Sequence, residues 1–254
     1  MLGGDMAIID DELCSIRTPG SNLRTADVRI GLGYTAVLLQ NGRCGLAYTM
    51  QEKERESCCT VVEAGRLAER KASDLVKWLK SSNATARTVA LATLNALIEL
   101  PDAAVDSDIL DLLAINTTDS VGMVGYFGPL VQAIKERSRS LHIFERTPIP
   151  DDNVLPESRA PELLPECQVV IVTATTLLNR TFDGLLEHCT IAREIVLLGP
   201  STPFLPETFS RRGVTILSGI QVVDAPQILR IISEGGGTRQ FRGAVRKLTL
   251  RTAA

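Results

Sequence analysis

The first strong pattern along the chain is an alternation of apolar and polar positions. Every even-numbered residue between 28 and 38 is apolar, and a second alternating run extends over residues 44–50. A period of two residues is typical of half-buried strands. We therefore predict one strand over each run, with Asn41-Gly42 in the turn of a hairpin between them.

The positions of the apolar residues also select the type of turn. A two-residue loop would pair Leu38 with Gly45 and place the two apolar sets on opposite faces. A three-residue loop over residues 40–42, with Gly42 in the left-handed conformation of a bulge, pairs Leu38 with Cys44 instead. We favour the bulged hairpin because it puts both apolar sets on one face.

Two helices are predicted after the hairpin. Thr60 and Glu63 have the spacing of a capping box, and apolar residues recur at helical spacing over residues 61–79. A second helix is predicted over residues 85–100. Asn95 lies in it among apolar neighbours, so it is either a structural amide bonded to a nearby loop or an amide that points into a ligand cleft.

A stretch rich in aspartate, residues 101–120, separates this part from a different pattern. Beyond it, short runs rich in Val and Ile alternate with plausible helices, at residues 121–126, 141–144, 169–173, 195–198 and 214–217. Such alternation predicts a doubly wound parallel sheet. We place one domain at residues 1–105 and a second at residues 106–254.

Ligands of doubly wound sheets bind beyond the carboxyl ends of the strands, where the strand order reverses. Gly125 and Gly128 match the last two glycines of the dinucleotide-binding fingerprint, although Tyr126 makes the loop bulky. Glu145 follows Gly125 by 20 residues, where an acidic side chain can accept bonds from ribose hydroxyls. The alternative is tight packing of strand on helix, with a surface Glu145 paired to Arg146.

Two further polar loops follow predicted strands. Thr173 and Thr175 stand at a strand end and could hydrogen-bond a polar ligand. Ser201 and Thr202 lie between two prolines in the sequence GPSTP, which fix the backbone, so this segment is predicted to be a preformed binding loop. These residues complete the set that the sequence itself nominates for a site.

The composition limits the classes of protein that fit. The chain has 254 residues, of which 44% are hydrophobic and 22% charged, and its net charge is −3. This is ordinary for a globular protein and gives no general attraction to nucleic acid. No segment approaches the ~20 uninterrupted apolar residues of a membrane helix, and the first ten residues lack the pattern of a secretory leader. We therefore expect a cytoplasmic protein without a membrane or nucleic-acid partner.

Residues for common catalytic and metal-binding motifs are few. His142 and His188 have no partner at the spacing of zinc ligands, so the residues themselves predict no metal site. No GxSxG elbow and no P-loop occurs, which removes the main support for a serine hydrolase or a P-loop NTPase. Glu145 and Glu157 are the candidates for a catalytic acid or base. The adjacent Cys58 and Cys59 could offer sulfur to a metal, but core or surface thiols are the favoured interpretation.

Several segments resemble a known family. They are VGMVGYFGP, LPESRAPELLPECQVVIVTATTLLNRT, VLLGPSTP, GVTILSGI and ISEGGGT. Together they span residues 120–238 and resemble the putative heavy-metal chelation domain, a family of unknown function. The preceding hairpin, helices and ATLNAL segment resemble the small domain that accompanies it, whose fold is like the N-terminal domain of enolase. The resemblance implies a small α+β enolase N-terminal-like domain followed by a Rossmann-like doubly wound parallel sheet.

The resemblance also implies a site in the cleft between the two domains. Carried onto this chain, that cleft would be lined by Asn95, Tyr126, Glu145, Thr173, Thr175, Ser201 and Thr202. One hypothesis is a small-molecule or metal-complex binding protein, or an enzyme, connected with metal handling. The other is an enzyme that uses NAD or S-adenosylmethionine, and a scaffold without catalysis is a third. The sequence leaves the cofactor, the reaction and the oligomeric state open, and it allows a homo-oligomer.

Overall fold

A computed structural model describes residues 8–16, 22–50, 61–147, 149 and 154–252. In these residues the chain forms a three-stranded antiparallel sheet and a seven-stranded, mostly parallel sheet. The predicted mixed α/β architecture, with a small antiparallel element before a doubly wound sheet, is confirmed.

The described residues of the N-terminal part form three strands and three α-helices. Their bounds are α1 Ile8–Ser15, β1 Thr25–Ile30, β2 Tyr34–Leu39, β3 Cys44–Tyr48, α2 Ala72–Val76 and α3 Ala84–Leu97, with a 3-10 helix at Lys77–Lys80 between the last two. The strands follow one another as an antiparallel meander in the order β1-β2-β3. Helix α3 is buried on nearly its whole circumference, as its apolar sequence requires.

The prediction of a single strand over residues 28–38 is wrong. Strand β1 ends at Ile30, and after a tight turn β2 begins at Tyr34, where the Gly31 amide donates to the Tyr34 carbonyl at 2.9 Å. An ideal Cβ on Gly31 would lie 2.5 Å from the Ile232 carbonyl oxygen, so the turn packs its backbone against a distant helix. The alternation of apolar and polar residues in the sequence continues through this turn because Leu32 is apolar. The Leu32 side chain is nevertheless 74% exposed and does not belong to a buried strand face.

The bulged hairpin between β2 and β3 is confirmed. Leu38 pairs with Cys44 and Ala36 pairs with Leu46, which is the predicted register. Gly42 has a φ of +86°, and its amide donates to the Leu39 carbonyl at 2.9 Å. The left-handed glycine therefore closes a three-residue loop that keeps the apolar sets on one face.

The predicted helix over residues 61–79 is wrong for most of its length. Residues 61–71 form turns, and helix starts only at Ala72. Gly65 and Glu69 have positive φ values of 84° and 65°, and the Thr25 amide donates to the Arg70 carbonyl at 3.0 Å. Backbone groups that a helix would have used internally therefore bond to β1. Thr60 of the predicted capping box lies outside the described residues. The second predicted helix is confirmed as α3, which ends three residues earlier than expected.

The C-terminal part supplies the larger sheet. Its helices are α4 Ile109–Leu112, α5 Gly128–Arg137, α6 Ala160–Leu163, α7 Thr176–Asn179, α8 Phe182–Leu186, α9 Pro206–Ser210 and α10 Ala225–Ser233. Its strands are β4 Ser120–Val124, β5 Ser140–Glu145, β6 Val154–Pro156, β7 Val169–Thr173, β8 Glu194–Leu198, β9 Ile216–Val222 and β10 Val245–Arg251. Two 3-10 helices, Glu157–Arg159 and Leu164–Glu166, flank α6.

The strands of the larger sheet run in the order β10-β9-β8-β7-β4-β5-β6. All neighbours are parallel except β10, which is antiparallel to β9. If β4 to β9 are numbered from one to six, the order is the 3-2-1-4-5-6 that is common in doubly wound sheets. The strand order therefore reverses between β4 and β7, and their carboxyl ends define the switch point.

One cluster of buried apolar side chains extends through both parts of the chain, from Ile9 and Val37 to Leu197 and Leu250. Helix α1 also joins the two parts, because the Ile9 amide donates to Asp183 at 3.1 Å and Asp10 pairs with Arg180 at 2.9 Å. The division into domains at residues 105 and 106 stays a prediction.

Among the described helices, none is both long and apolar enough to cross a membrane.

Candidate functional site

A large cleft opens at the switch point of the sheet. Its volume is about 1050 Å³, which exceeds the range that is usual for sites of small organic ligands. The loop after β4, the end of β7 and Glu145 at the end of β5 line it. Residues 48–50 and Arg87 from the N-terminal part line it as well. We call it the switch-point cleft.

Gly125 allows the two central strands to end close together. It has a φ of +95°, and an ideal Cβ there would lie 2.9 Å from Cβ of Thr173. Any other residue would be strained and would push the loop after β4 away from β7. Gly128 begins α5, and a Cβ on it would meet the Tyr126 ring at 3.2 Å. Both predicted glycines thus serve close packing at the cleft.

Glu145 lies in the cleft and holds the loop after β4 in place. Its Oε1 accepts a hydrogen bond from the Tyr126 amide at 2.7 Å, and its Oε2 accepts one from the Arg146 amide at 3.2 Å. The expected alternative, a pair between the side chains of Glu145 and Arg146, is not formed. The Arg146 guanidinium pairs with Glu157 instead, at 3.2 Å. Each Glu145 oxygen retains a lone pair that can accept from a ligand.

Glu157 is the second carboxylate of the cleft. Burial raises the pKa of its carboxyl, the Arg146 guanidinium partly offsets this, and the negative charge of Glu145 adds to the rise. The side chain is 20% exposed, so it stays within reach of a bound molecule. Two carboxylates and a guanidinium therefore meet at the outer strands of the cleft.

The hydroxyls at the end of β7 form a compact group. The Oγ1 atoms of Thr173 and Thr175 lie 3.1 Å apart, and Thr176 donates to the Thr173 carbonyl at 2.7 Å. Thr173 and Thr175 are half-buried and line the cleft, as predicted for this loop. Their hydroxyls can donate to or accept from a polar ligand.

Arg87 is a cleft residue that the sequence interpretation missed. It comes from α3, and it is fixed because Nε donates to the Leu178 carbonyl and Nη1 to the Ser81 carbonyl, both at 2.8 Å. Only 8% of the residue is exposed. The available signal was a single charged residue in a helix that is otherwise uncharged and mostly buried, since a buried cation needs dedicated acceptors.

Asn95, Ser201 and Thr202 do not line the switch-point cleft, which corrects their expected location. The Asn95 amide nitrogen donates to the Leu46 carbonyl at 2.8 Å and to the Ser201 carbonyl at 3.1 Å. Ser201 Oγ accepts from the Tyr48 amide at 2.8 Å, and Thr202 donates to the Ser218 carbonyl at 2.9 Å. The GPSTP loop is therefore rigid, as predicted, and these groups bind it to the hairpin and to β9.

A resident heavy metal ion needs several donor side chains at one place. Across the residues described, no group of three or more His, Cys, Asp or Glu side chains is placed to hold a metal. Burial raises the pKa of Cys44 and Cys189 to about 12 and that of Cys167 to about 11. Thiols bind metals as thiolates, so these three are poor ligands near neutral pH. The described side chains do not fit a resident thiolate-bound metal, and Cys58 and Cys59 lie outside the described residues.

The sheet and its cleft define a doubly wound α/β protein with a ligand-sized opening at the switch point. The chain belongs to the DUF364 family, described as putative heavy-metal chelation, whose sequence pattern matches residues 108–251. Residues 16–98 match the DUF4213 family, which carries the same description. The predicted resemblance to this family is therefore confirmed.

The similarity to known proteins covers nearly the whole length of the chain. An uncharacterized protein of Methanocaldococcus jannaschii is 27% identical over 242 residues, which cover 90% of each chain. The crystal structure of a DUF364 protein of unknown function from Pyrococcus horikoshii has a TM-score of 0.82, is 24% identical, and covers 97% of this chain and 99% of its own. One from Desulfitobacterium hafniense has a TM-score of 0.79, 24% identity and 96% coverage of both chains. These two structures establish the fold.

Proposed function

We propose that the switch-point cleft binds a small polar organic molecule, free or as its metal complex, in a process of metal handling. The observation that supports this most is that polar groups from both parts of the chain converge on one cleft at the carboxyl edge of the sheet. Such an edge is where doubly wound sheets bind their ligands. The family description supplies the connection with metals.

The chemistry of the lining favours a ligand with anionic and planar groups. Arg146 offers guanidinium donors, which suit carboxylate or phosphate oxygens, and Arg87 adds a positive charge to the same lining. Tyr48 and Tyr126 line the cleft while 40% and 37% exposed, so their rings can contact a flat molecule. A metal would enter as cargo, with its ligands supplied mainly by the organic molecule, because the described residues contain no group of three or more metal-binding side chains.

An enzyme that uses NAD or S-adenosylmethionine is the second candidate. The observation that favours it is the position of Glu145 at the end of β5, bonded to the Tyr126 amide in the loop after β4. In the dinucleotide-binding pattern an acidic residue at this place accepts bonds from ribose hydroxyls. The cytoplasmic location, the homo-oligomer, the domain limits and the enolase-like fold of residues 1–105 stay predictions within either candidate.

Titration with defined probes tests both candidates. Native mass spectrometry and calorimetry would compare Ni²⁺ alone, citrate alone, the Ni²⁺–citrate complex, NAD and S-adenosylmethionine. The first candidate predicts that the complex binds more tightly than Ni²⁺ or citrate, and that Arg146→Met weakens it because an anion partner is lost. The second predicts binding of an adenosine compound that Glu145→Gln weakens about tenfold or more.

A matched control is Glu207→Gln, which changes an exposed glutamate on α9 and should bind each probe as the parent does. Thermal melting of every variant separates loss of binding from loss of fold. Binding of the complex and of the adenosine compounds that is unchanged by both cleft variants would contradict the proposed location, and no binding of any probe would contradict both candidates.

A further inference from the structure

A second, smaller pocket lies between the β2–β3 hairpin, α3 and β9. Its volume is about 260 Å³, and its lining includes Arg43, Leu46, Asn95, Thr202, Phe204 and Ile220. We call it the hairpin pocket. Among the described residues it shares no lining residue with the switch-point cleft, so it is a separate candidate site.

Asn95 lines this pocket, and its amide oxygen is unpaired among the described residues. Its amide nitrogen is fixed because it donates to two carbonyls, those of Leu46 and Ser201. Turning the amide over would set its oxygen against these two carbonyl oxygens, so the assignment of nitrogen and oxygen is determined by the contacts. The Oδ1 atom is buried, and within the described part of the chain it accepts no hydrogen bond.

Arg43 presents a donor at the same pocket. Its Nη1 lies 3.4 Å from Glu99 Oε1, whereas its Nη2 is buried and has no acceptor among the residues described. Buried polar atoms of proteins are nearly always paired. A buried donor and a buried acceptor that both lack partners, on two residues lining one pocket, indicate a ligand that supplies the complementary groups.

The rest of the pocket combines apolar side chains with the polar residues Glu99, Thr202 and Gln221. Leu46 and Phe204 are 2% and 4% exposed, and Ile220 adds a half-buried aliphatic surface. An ideal Cβ on Gly45 would lie 2.2 Å from the Ala92 carbonyl oxygen, so the backbones of β3 and α3 are in direct contact. This contact restrains the spacing of Arg43, which immediately precedes β3, and Asn95, which lies on α3.

We propose that the hairpin pocket binds a small α-amino or α-hydroxy acid with an aliphatic side chain. The carboxylate accepts from Arg43 Nη2, since guanidinium groups make strong charge-assisted bonds to carboxylates. The amino or hydroxyl group donates to Asn95 Oδ1. The aliphatic chain lies against Leu46 and Phe204. The proposal does not depend on the ligand of the switch-point cleft.

Four probes with the same aliphatic chain separate the two polar parts of this recognition. L-leucine and 2-hydroxy-4-methylpentanoate carry both polar groups, 4-methylpentanoate lacks the donor, and 3-methylbutylamine lacks the carboxylate. Ligand-observed NMR and calorimetry on the full chain should show binding of leucine or its hydroxy analogue. Loss of either polar group should weaken binding about tenfold or more, because it leaves a buried group unpaired again.

The variant Arg43→Met keeps the length of the side chain and removes the guanidinium. It should weaken binding of the acids about tenfold or more and abolish their advantage over 3-methylbutylamine. Arg29→Met is the matched control, because Arg29 is half exposed and pairs with Asp27 away from the pocket. Failure of both acids to bind at about 10 mM, above the range of weak specific binding, would overturn the proposal. Equal binding by Arg43→Met and the parent would also overturn it.

Discussion

Asp10 is predicted to make the stability of this protein fall as the pH rises from about 4 to about 6. The residue lies on α1, only 1% of its side chain is exposed, and its partner Arg180 belongs to the C-terminal part. Burial raises the pKa of Asp10 from 3.8 to about 6, although Arg180 and Arg87 act in the opposite direction. One carboxylate oxygen, Oδ1, has no hydrogen-bond partner among the described residues, which is consistent with the dominance of burial.

The magnitude follows from the difference between the two pKa values. Between pH 4 and pH 6 the folded chain holds a proton on Asp10 that the unfolded chain has lost. The stabilisation is therefore fully present below about pH 4 and is lost as the pH rises through about 6. The rise in pKa of about two units corresponds to about 3 kcal/mol in total, of which about 2 kcal/mol falls between pH 4.5 and 7.5.

The variant Asp10→Asn isolates this contribution, because it keeps the shape of the side chain and removes its titration. Urea unfolding of the parent and the variant at intervals from pH 4.5 to pH 7.5 gives the difference between their unfolding free energies at each pH. This difference should shift by about 2 kcal/mol in favour of the variant as the pH rises. Leu13→Ala is the control, since it disturbs packing of the same buried helix without removing a carboxyl.

A constant difference between parent and Asp10→Asn across this range would contradict the reasoning. A shift in favour of the parent at high pH would contradict it more strongly. That result would mean that attraction by Arg180 outweighs burial and that the pKa of Asp10 is lowered. The control variant should show a difference from the parent that does not change with pH.

Two further predictions concern the hairpin and its contact with the larger sheet. Gly42→Val should lower the unfolding free energy by about 1 kcal/mol or more, because φ is +86° there. Gly33→Val changes a glycine without a positive φ in the neighbouring turn and should lower the unfolding free energy clearly less. Equal losses in thermal unfolding would refute this. Ser201→Ala should cost about 1–3 kcal/mol by leaving the Tyr48 amide without its acceptor. Chemical unfolding measures this cost, with Ser233→Ala on the exposed side of α10 as the control. An equal loss of unfolding free energy in the two variants would contradict the prediction.

The sequence by itself determined the elements whose signals are local. The register around Gly42 followed from the parity of apolar residues, because a shift by one residue would expose one apolar set. The central strands followed from runs of Val and Ile, which mark strands buried on both faces. Glu145 and Thr173 could be placed at one edge of the sheet because parallel strands end together. These parts of the fold and of the cleft were therefore predictable.

Only the tertiary structure decided where the chain leaves these local patterns. Residues 61–71 have a helical pattern but bond their backbone to β1, and residues 31–33 turn against α10. Arg87 reaches the cleft, and Asn95 does not, because α3 presents them to different loops of the larger sheet. Such contacts join residues about 45 to 200 positions apart, so neither composition nor periodicity carries their geometry. Their free energy outweighs the local preference of the segments that make them.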